Sequence, residues 1–359
     1  MKILLTANDI TSGGGIQRVV THLANAFNEK GYEVTILSFY HENKTTPYLL
    51  DSRVKLEFFP NIKDIHTKNM IKRVFNKIFY RFFVAYKMKK LYVDYDIIIY
   101  NCYFFPFFKN KSTKYIKIIH RFMKHFNFRN IFRYKVFDCI ILLSAKQQLL
   151  EWQKHHKNIK VIPNFLPSIP EKMANLSQKV VLSVGRLNKE KGFLRLVEIW
   201  DLVRKQEKYK DWKLNIVGGG ELEQELKAKI KEKNLQEYIE LKPFTKEIEK
   251  EYLSASIYVM ASFFEGFPMV LLEAGSYALP CIAFDVPVGP GAIIENEKTG
   301  FLIKDNELEE FASKLCFLMD NENLKEQIGK AARLRIQENF SKEIVMKQWE
   351  ELLEGYKSF

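Results

Sequence analysis

The sequence predicts an α/β protein of two domains, each built on a parallel sheet. Strand-like and helix-like patterns alternate along the chain, the order that βαβ units require. At 359 residues the chain is long for one core and natural for two α/β domains, and a hydrophobic content of 47% supplies well-buried interiors. The stretch 164–177 has little apolar periodicity, and Pro163, Pro167 and Pro170 punctuate it, so it reads as a boundary. The chain therefore divides into domains 1–165 and 166–340, followed by a helical segment 341–359. No internal repeat or low-complexity segment interrupts this pattern.

The elements follow in order. Lys2 to Ala7 reads as a buried strand, and Gly13-Gly14-Gly15 follows it. Ile16, Val19, Val20, Leu23 and Phe27 then recur at helical spacing up to Gly31, a suitable C-cap. Strand, glycine loop and helix N-terminus can bind an anion through free backbone N–H groups, or can simply be a tight turn. The G-x-G-x-x-G order of a dinucleotide fingerprint and a Walker lysine are both missing. The strand YIKIIH ends at His120, and a lone histidine at a strand end is often only a satisfied structural residue.

In the second half, KVVLSV leads into Gly185-Arg186-Leu187-Asn188-Lys189-Glu190-Lys191-Gly192. Arg186 offers a planar fork and Lys191 a compact charge, both suited to a diphosphate; a basic surface turn is the plainer alternative. KLNIV then leads into Gly218-Gly219-Gly220. Glu221 and Glu223 open the next helix and would repel an anion, so the triplet reads as close packing near a ligand's base or sugar. The strand IYVMAS precedes EGFPMVLLE, which Glu265 and Glu273 frame. Pro268 suits a helix start, so Glu265 falls before the helix and Glu273 about a turn and a half along it. Such carboxylates can face the crevice at a sheet's carboxyl end and pair with vicinal sugar hydroxyls, or can be two surface glutamates. The last helical run, about 342–356, carries Ile344, Val345, Trp349, Leu352 and Leu353.

Taken in order, GGIQRVV, IKIIH, VIPN, VGRLNKEKG, IVGGGELEQEL, ASFFEGFPMVLLEA and NEKTGFLI resemble the GT-B glycosyltransferases, and within them the retaining family GT4. The resemblance covers nearly the whole chain. It implies two Rossmann-like domains facing a central cleft, the first binding acceptor and the second the nucleotide sugar, with the final helix returning to the first. It implies that Glu265 holds sugar hydroxyls, Glu273 the ribose, and Arg186 and Lys191 the donor diphosphate. His120 matches the family's active-site histidine near the donor sugar. Gly14 and Gly15 match the loop lying against the phosphates. Gly185, Gly219, Phe244, Thr245, Gly266, Phe267, Pro268, Met269 and Val270 match donor-binding positions. The chain departs from many relatives at Pro243, where they carry Gly, and at Arg121, where they carry an acidic or other polar residue. The segment FDVPVGPGAII resembles a variant common in enzymes of bacterial surface polysaccharides.

Charge is unequally distributed. Residues 1–170 hold 28 Lys and Arg against 11 Asp and Glu, a net +17, whereas the remainder is net −4. The excess concentrates in 68–90 and 109–135, which are also rich in Phe and Tyr. Such segments fit an anionic membrane surface; exposed stems over an apolar core are the alternative. No recognised RNA or DNA module is present, so nucleic acid is not the expected partner. The start MKILLTANDI turns polar at once and does not read as a signal peptide. The longest apolar stretch, IIIYNCYFFPFF, is too short to span a bilayer. Cys102, Cys139, Cys281 and Cys316 lie far apart without metal spacing and read as free thiols.

The combined expectation is a cytoplasmic glycosyltransferase, peripheral on the inner face of the cell membrane. It would move a hexose or N-acetylhexosamine from a nucleotide sugar, UDP-linked by preference, to a lipid-linked or oligosaccharide acceptor. Retention at the anomeric carbon and independence of metal or cofactor follow from the resemblance. The competing readings are a non-catalytic sugar-nucleotide-binding partner of another transferase, and a phosphorylase or sucrose-type synthase on the same fold.

Overall fold

A computed structural model describes residues 1–59, 70–121, 132–146 and 149–356, with the side chains of 70–79 outside the description. Contacts divide the chain into two compact units, Met1–Pro163 with Met346–Phe359, and Asn164–Val345.

The first unit contains β1 (Lys2–Asp9), α1 (Gly15–Glu29), β2 (Glu33–Tyr40), β3 (Lys55–Phe58), α2 (Met70–Leu91), β4 (Ile97–Tyr100), β5 (Lys114–Ile119), β6 (Cys139–Leu142), α3 (Leu149–His155) and β7 (Ile159–Val161). Its sheet runs β3-β2-β1-β4-β5-β6-β7, and every pairing is parallel. The central strand β4 is the run Ile-Ile-Ile-Tyr, buried at every position, as strands covered on both faces require. Helix α1 buries Val19, Val20, Leu23 and Phe27. Gly31 follows it at φ +82°, and Tyr32 N donates to Phe27 O at 3.2 Å, so the left-handed glycine closes the helix.

The second unit contains β8 (Val180–Val184), α4 (Phe193–Arg204), β9 (Lys213–Val217), α5 (Glu223–Glu232), β10 (Ile239–Lys242), α6 (Ile248–Leu253), β11 (Ile257–Met260), α7 (Met269–Ser276), β12 (Cys281–Asp285), α8 (Pro290–Ile293), β13 (Gly300–Lys304), α9 (Leu308–Asp320) and α10 (Glu322–Phe340). The sheet order is β10-β9-β8-β11-β12-β13, again parallel throughout. Val181, Ile216, Val259 and Ile282 from the strands meet Leu196, Trp200 and Phe311 from the helices in one buried core.

Helix α11 (Lys342–Glu354) ends the described chain, and its residues from Met346 onward cluster with the first unit. Trp349 meets the Phe27 ring edge-on at 5.5 Å, and Lys30 pairs with Glu350 at 3.1 Å. Ile344, expected on the apolar face, is 41% exposed.

Three details differ from the sequence reading. Lys117, counted in the basic surface excess, is buried, and its ammonium donates to Cys102 O at 2.7 Å. His155-His156 reads from the sequence as a solvated pair in a charged loop, but His156 is half-buried and tied to backbone oxygens of Asn158 and Phe137. Pro268 is the N-cap of α7 rather than part of its first turn. Parts of the two basic aromatic segments, 68–69, 122–131 and the side chains of 70–79, lie outside the described residues.

Candidate active site

In the second unit the sheet order reverses direction between β8 and β11, since the chain runs outward through β9 and β10 before returning to start β11. Loops at the carboxyl ends of strands flanking such a reversal diverge and leave a crevice, the usual ligand position of open α/β sheets. The β8 loop carries Arg186 and Lys191, and the β11 loop carries Glu265.

The β8 loop is built on the glycines of the β9 loop. Gly185 N donates to Val217 O at 3.0 Å, Leu187 N to Gly219 O at 3.0 Å, and Leu222 N to Leu187 O at 3.0 Å. Gly218 has φ +153°, and a Cβ there would lie 1.9 Å from Gly185 O. Gly220 likewise packs closely, a Cβ there lying 2.4 Å from Leu187 O, whereas a Cβ on Gly219 would meet nothing within 4 Å, so two of the three glycines are close packing, against the Gly185–Leu187 backbone. Asn188 then caps the short turn Lys189–Lys191, its Oδ1 accepting from Lys191 N at 3.2 Å. Arg186 is exposed on this loop.

Lys191 and Glu265 meet. Lys191 Nζ donates to Glu265 Oε1 at 2.6 Å, and Ser262 Oγ donates to the same oxygen at 2.6 Å. The Glu265 side chain is only 8% exposed, so the carboxylate is fixed by charge-assisted bonds in a dry setting. Phe263 N donates to Glu190 O at 2.8 Å and ties the two loops together. Glu265 also forms a β-bridge with Val288. A Cβ on Gly289 would lie 2.6 Å from Glu265 Cβ and 2.9 Å from Pro268 Cδ, so the Val-Gly-Pro segment supports the glutamate by close approach.

Arg195 holds this arrangement from beneath. Its Nε donates to Ala261 O at 2.6 Å, Nη2 to Ser262 O, and Nη1 to Asp305 Oδ1 at 2.7 Å. The guanidinium lies between Phe263 and Phe284, 3.8 Å and 4.0 Å from their ring centroids. An isolated buried guanidinium would be costly; here its hydrogen bonds and stacking offset that cost and fix the backbone leading to Glu265.

Glu273 lies on α7, buried, and its Oε2 accepts from Tyr252 Oη at 2.7 Å. Tyr252 stacks on Tyr277 at 5.2 Å. Gly266 and Val270 are partly exposed, while Phe267, Pro268 and Met269 are buried. Phe267 packs on Phe340 at 5.8 Å, so this stretch offers ligand mainly backbone. Phe244, 75% exposed, and Thr245 follow β10, two strands from β8. Thr245 Oγ1 accepts from Glu247 N at 3.0 Å.

The first unit reverses between β1 and β4. Gly14 and Gly15 follow β1. Gly14 O accepts from Tyr48 Oη at 3.1 Å, and Asp9 holds the loop through Thr11 N at 2.8 Å and Glu42 N at 2.9 Å. His120 follows β5, half-buried, with Nε2 at 2.7 Å from Asn101 Oδ1. Loss of hydration, then the Lys117 charge, pushes the His120 pKa down to about 3, so the ring is neutral at pH 7.

Sequence reasoning missed Asn101, Arg195, Tyr252 and Ser262. A signal existed for Arg195, which shares a helix face with Ile199, four residues on and fully buried. Asn101 and Ser262 stood beside strand ends without a pattern to mark them.

The family model "Glycosyltransferase Family 4" matches residues 13–167, and "Glycosyl transferases group 1" matches 167–335. The amylovoran biosynthesis glycosyltransferase AmsD of Erwinia amylovora is 31% identical over 373 residues, covering 98% of this chain and 99% of that one. The chain belongs to the GT-B glycosyltransferases. A relative from Escherichia coli, UDP-Gal:α-D-GlcNAc-diphosphoundecaprenol α-1,3-galactosyltransferase, is 28% identical over 234 residues, 60% of this chain and 59% of its own. Staphylococcus aureus TarM, solved in complex with fondaparinux, α-GlcNAc-glycerol and UDP, superposes with a TM-score of 0.79 at 19% identity, covering 98% and 99% of the two chains. That likeness speaks to the GT-B fold.

Proposed function

We propose that this GT-B glycosyltransferase is a metal-independent GT4 enzyme. It transfers a hexose or N-acetylhexosamine from a UDP-sugar, with retention, to a lipid-linked or growing bacterial glycan. The observation that carries the reading is the Lys191–Glu265–Ser262 contact at the sheet reversal of the second unit. It presents one cation and one oriented carboxylate side by side, the pair a sugar diphosphate needs.

The proposed chemistry runs as follows. Lys191 and Arg186 take the donor diphosphate and stabilise the charge that builds on it as the glycosidic C–O bond breaks. Glu265 accepts hydrogen bonds from sugar hydroxyls, and Glu273, oriented by Tyr252, accepts from the ribose. The acceptor hydroxyl attacks the anomeric carbon on the face the diphosphate leaves, and its proton passes to the departing phosphate oxygen. Sugar, proton and leaving group then balance without an added base. The acceptor named for the E. coli relative and the amylovoran biosynthesis named for AmsD support a glycan acceptor, and the UDP in the TarM complex supports the choice of nucleotide.

The proposal extends to an anionic membrane face. On α2, Phe82, Phe83 and Tyr86 are exposed while Val84, Ala85 and Met88 are buried. Phe82 packs on Phe107 at 4.7 Å, and Lys87 and Lys90 lie over the Phe83 and Tyr86 rings at 5.0 and 4.8 Å. Exposed rings carrying cations suit the headgroup region of an anionic bilayer on the cytoplasmic side. No described helix is long and apolar enough to cross a membrane.

A thermal-shift panel of nucleotide sugars tests the donor assignment, since a ligand at about 100 times its Kd stabilises the fold by about 2.7 kcal/mol. A shift with one or more UDP-sugars is expected. No shift with any nucleotide sugar would remove the reading.

A further inference from the structure

Asn101 has no part in the reading so far, yet its position is closely defined. It follows β4 directly at the sheet reversal of the first unit, where its backbone N–H donates to Thr6 O on β1 at 3.2 Å. Its side chain is buried, 3% exposed, and its Oδ1 lies 2.7 Å from Nε2 of His120, which follows the neighbouring strand β5. In this arrangement the amide turns Oδ1 to the ring and leaves Nδ2 buried without a partner among the described residues; an amide oxygen can only accept, so Nε2 carries the proton of this bond. A neutral imidazole has one N–H, which leaves Nδ1 as its lone-pair atom.

We propose that Asn101 is a positioning residue for His120, holding it as the Nε2–H tautomer so that Nδ1 accepts a hydrogen bond from a substrate hydroxyl. The assignment rests on the glycosyltransferase reading for the substrate, though the tautomer itself does not depend on it. The surroundings favour a neutral ring. Lys117 on β5 is the cation whose field acts on it, and Arg121 is next in the chain, exposed. Cys102 follows Asn101, and burial pushes its thiol pKa up, so it brings no negative charge. Thr6 on β1 contributes only a hydroxyl, 3.1 Å from the Cys102 sulfur. Among the described residues, no carboxylate appears in this group to stabilise imidazolium.

The proton arithmetic makes Asn101→Asp informative. Fully deprotonated, the variant pair keeps Nε2–H donating to a carboxylate and Nδ1 bare. One added proton leaves either imidazolium beside carboxylate or a neutral carboxyl donating to Nε2 with the ring proton on Nδ1. Both forms lose the Nδ1 lone pair, and the aspartate raises the pH at which that proton binds.

The experiment has two arms on the full-length protein. The first is nitrogen-15 NMR of the histidine ring nitrogens, with His120 assigned by the signal lost in His120→Gln. The proposal expects a neutral Nε2–H ring from pH 5 to 8. An Nδ1–H tautomer, or a ring that protonates in that range, would overturn it. The second arm is the pH profile of sugar transfer. Wild-type turnover should carry no limb from His120 over that range. Asn101→Asp should gain an acid limb, falling about tenfold per pH unit below its new pKa. The change should lie in kcat more than in KM for the donor, with Asn101→Gln recovering part of the wild-type profile. An Asn101→Asp profile parallel to wild type in a protein that melts normally would reduce Asn101 to a structural role. Absence of transfer by wild type would count against the proposed function, and the NMR arm would then decide the tautomer alone.

Discussion

Lys191 Nζ and Glu265 Oε1 are 2.6 Å apart although 74 positions separate the two residues in the chain. Two glycines make room for the pair: Gly192, at φ +66°, lets the Lys191 turn pass Ala261 O, where a Cβ would lie 1.9 Å away, and Gly289, on the loop after β12, makes room for Glu265. On the proposed reading, a diphosphate entering here would compete with Glu265 for the ammonium.

Lys191→Ala should lower turnover roughly 100-fold or more, as loss of a transition-state charge contact does. It should also destabilise the fold, because Glu265 keeps only the Ser262 bond in a site where its side chain is 8% exposed. The loss should be about 1–3 kcal/mol. Glu265→Gln in the Lys191→Ala background should recover part of that stability but none of the activity. Denaturant melts of the two single variants and the double variant give the coupling; additive losses would remove the pairing from the account.

Tyr252→Phe removes the donor 2.7 Å from Glu273 Oε2 while keeping the stack on Tyr277. The variant should fold and raise KM for the nucleotide sugar about tenfold, equivalent to about 1.4 kcal/mol of lost orientation. Initial-rate kinetics at varied donor would read this. An unchanged KM would mean that Glu273 does not meet the nucleotide.

Much of this was legible in the sequence. The β1 strand, the glycine loop, the apolar face of α1 and the strand–loop–helix around Glu265 follow local periodicity and turn chemistry, and these survive folding. What local pattern cannot carry is a contact made by topology. Asn101 reads as a polar break in an aromatic run, and only the pairing of β4 with β5 sets it against His120. Lys117 reads as surface charge, yet lies buried against Cys102 O. Arg195 interrupts Phe-Leu-Arg-Leu-Val as an exposed arginine would, but two aromatic rings and three carbonyl or carboxylate oxygens from distant loops receive it.

Activity should persist in excess chelator. On the proposed reading, Arg186 and Lys191 would supply the positive charge that a divalent ion could otherwise bring to the diphosphate. Turnover with and without chelator, followed by magnesium or manganese addition, checks this. Complete loss restored by metal would overturn the proposed phosphate chemistry.

Membrane affinity should depend on the described end of α2. Replacing Lys87, Lys89 and Lys90 with Gln should weaken binding to anionic vesicles by about 1 kcal/mol per charge and make the remainder less salt-sensitive. Phe82→Ser with Phe83→Ser should weaken it further without altering donor binding. Equal sedimentation of wild type and variants with neutral and anionic vesicles would return these residues to an ordinary solvated face.

The most direct test is nucleoside diphosphate release from a UDP-sugar, measured with and without a polyprenyl-diphosphate-linked glycan acceptor. The account predicts release that rises on adding acceptor, matches sugar incorporated mole for mole, and disappears in Lys191→Ala. A protein that binds the UDP-sugar but releases UDP at the same rate with and without every such acceptor, leaving no sugar on it, would contradict the account.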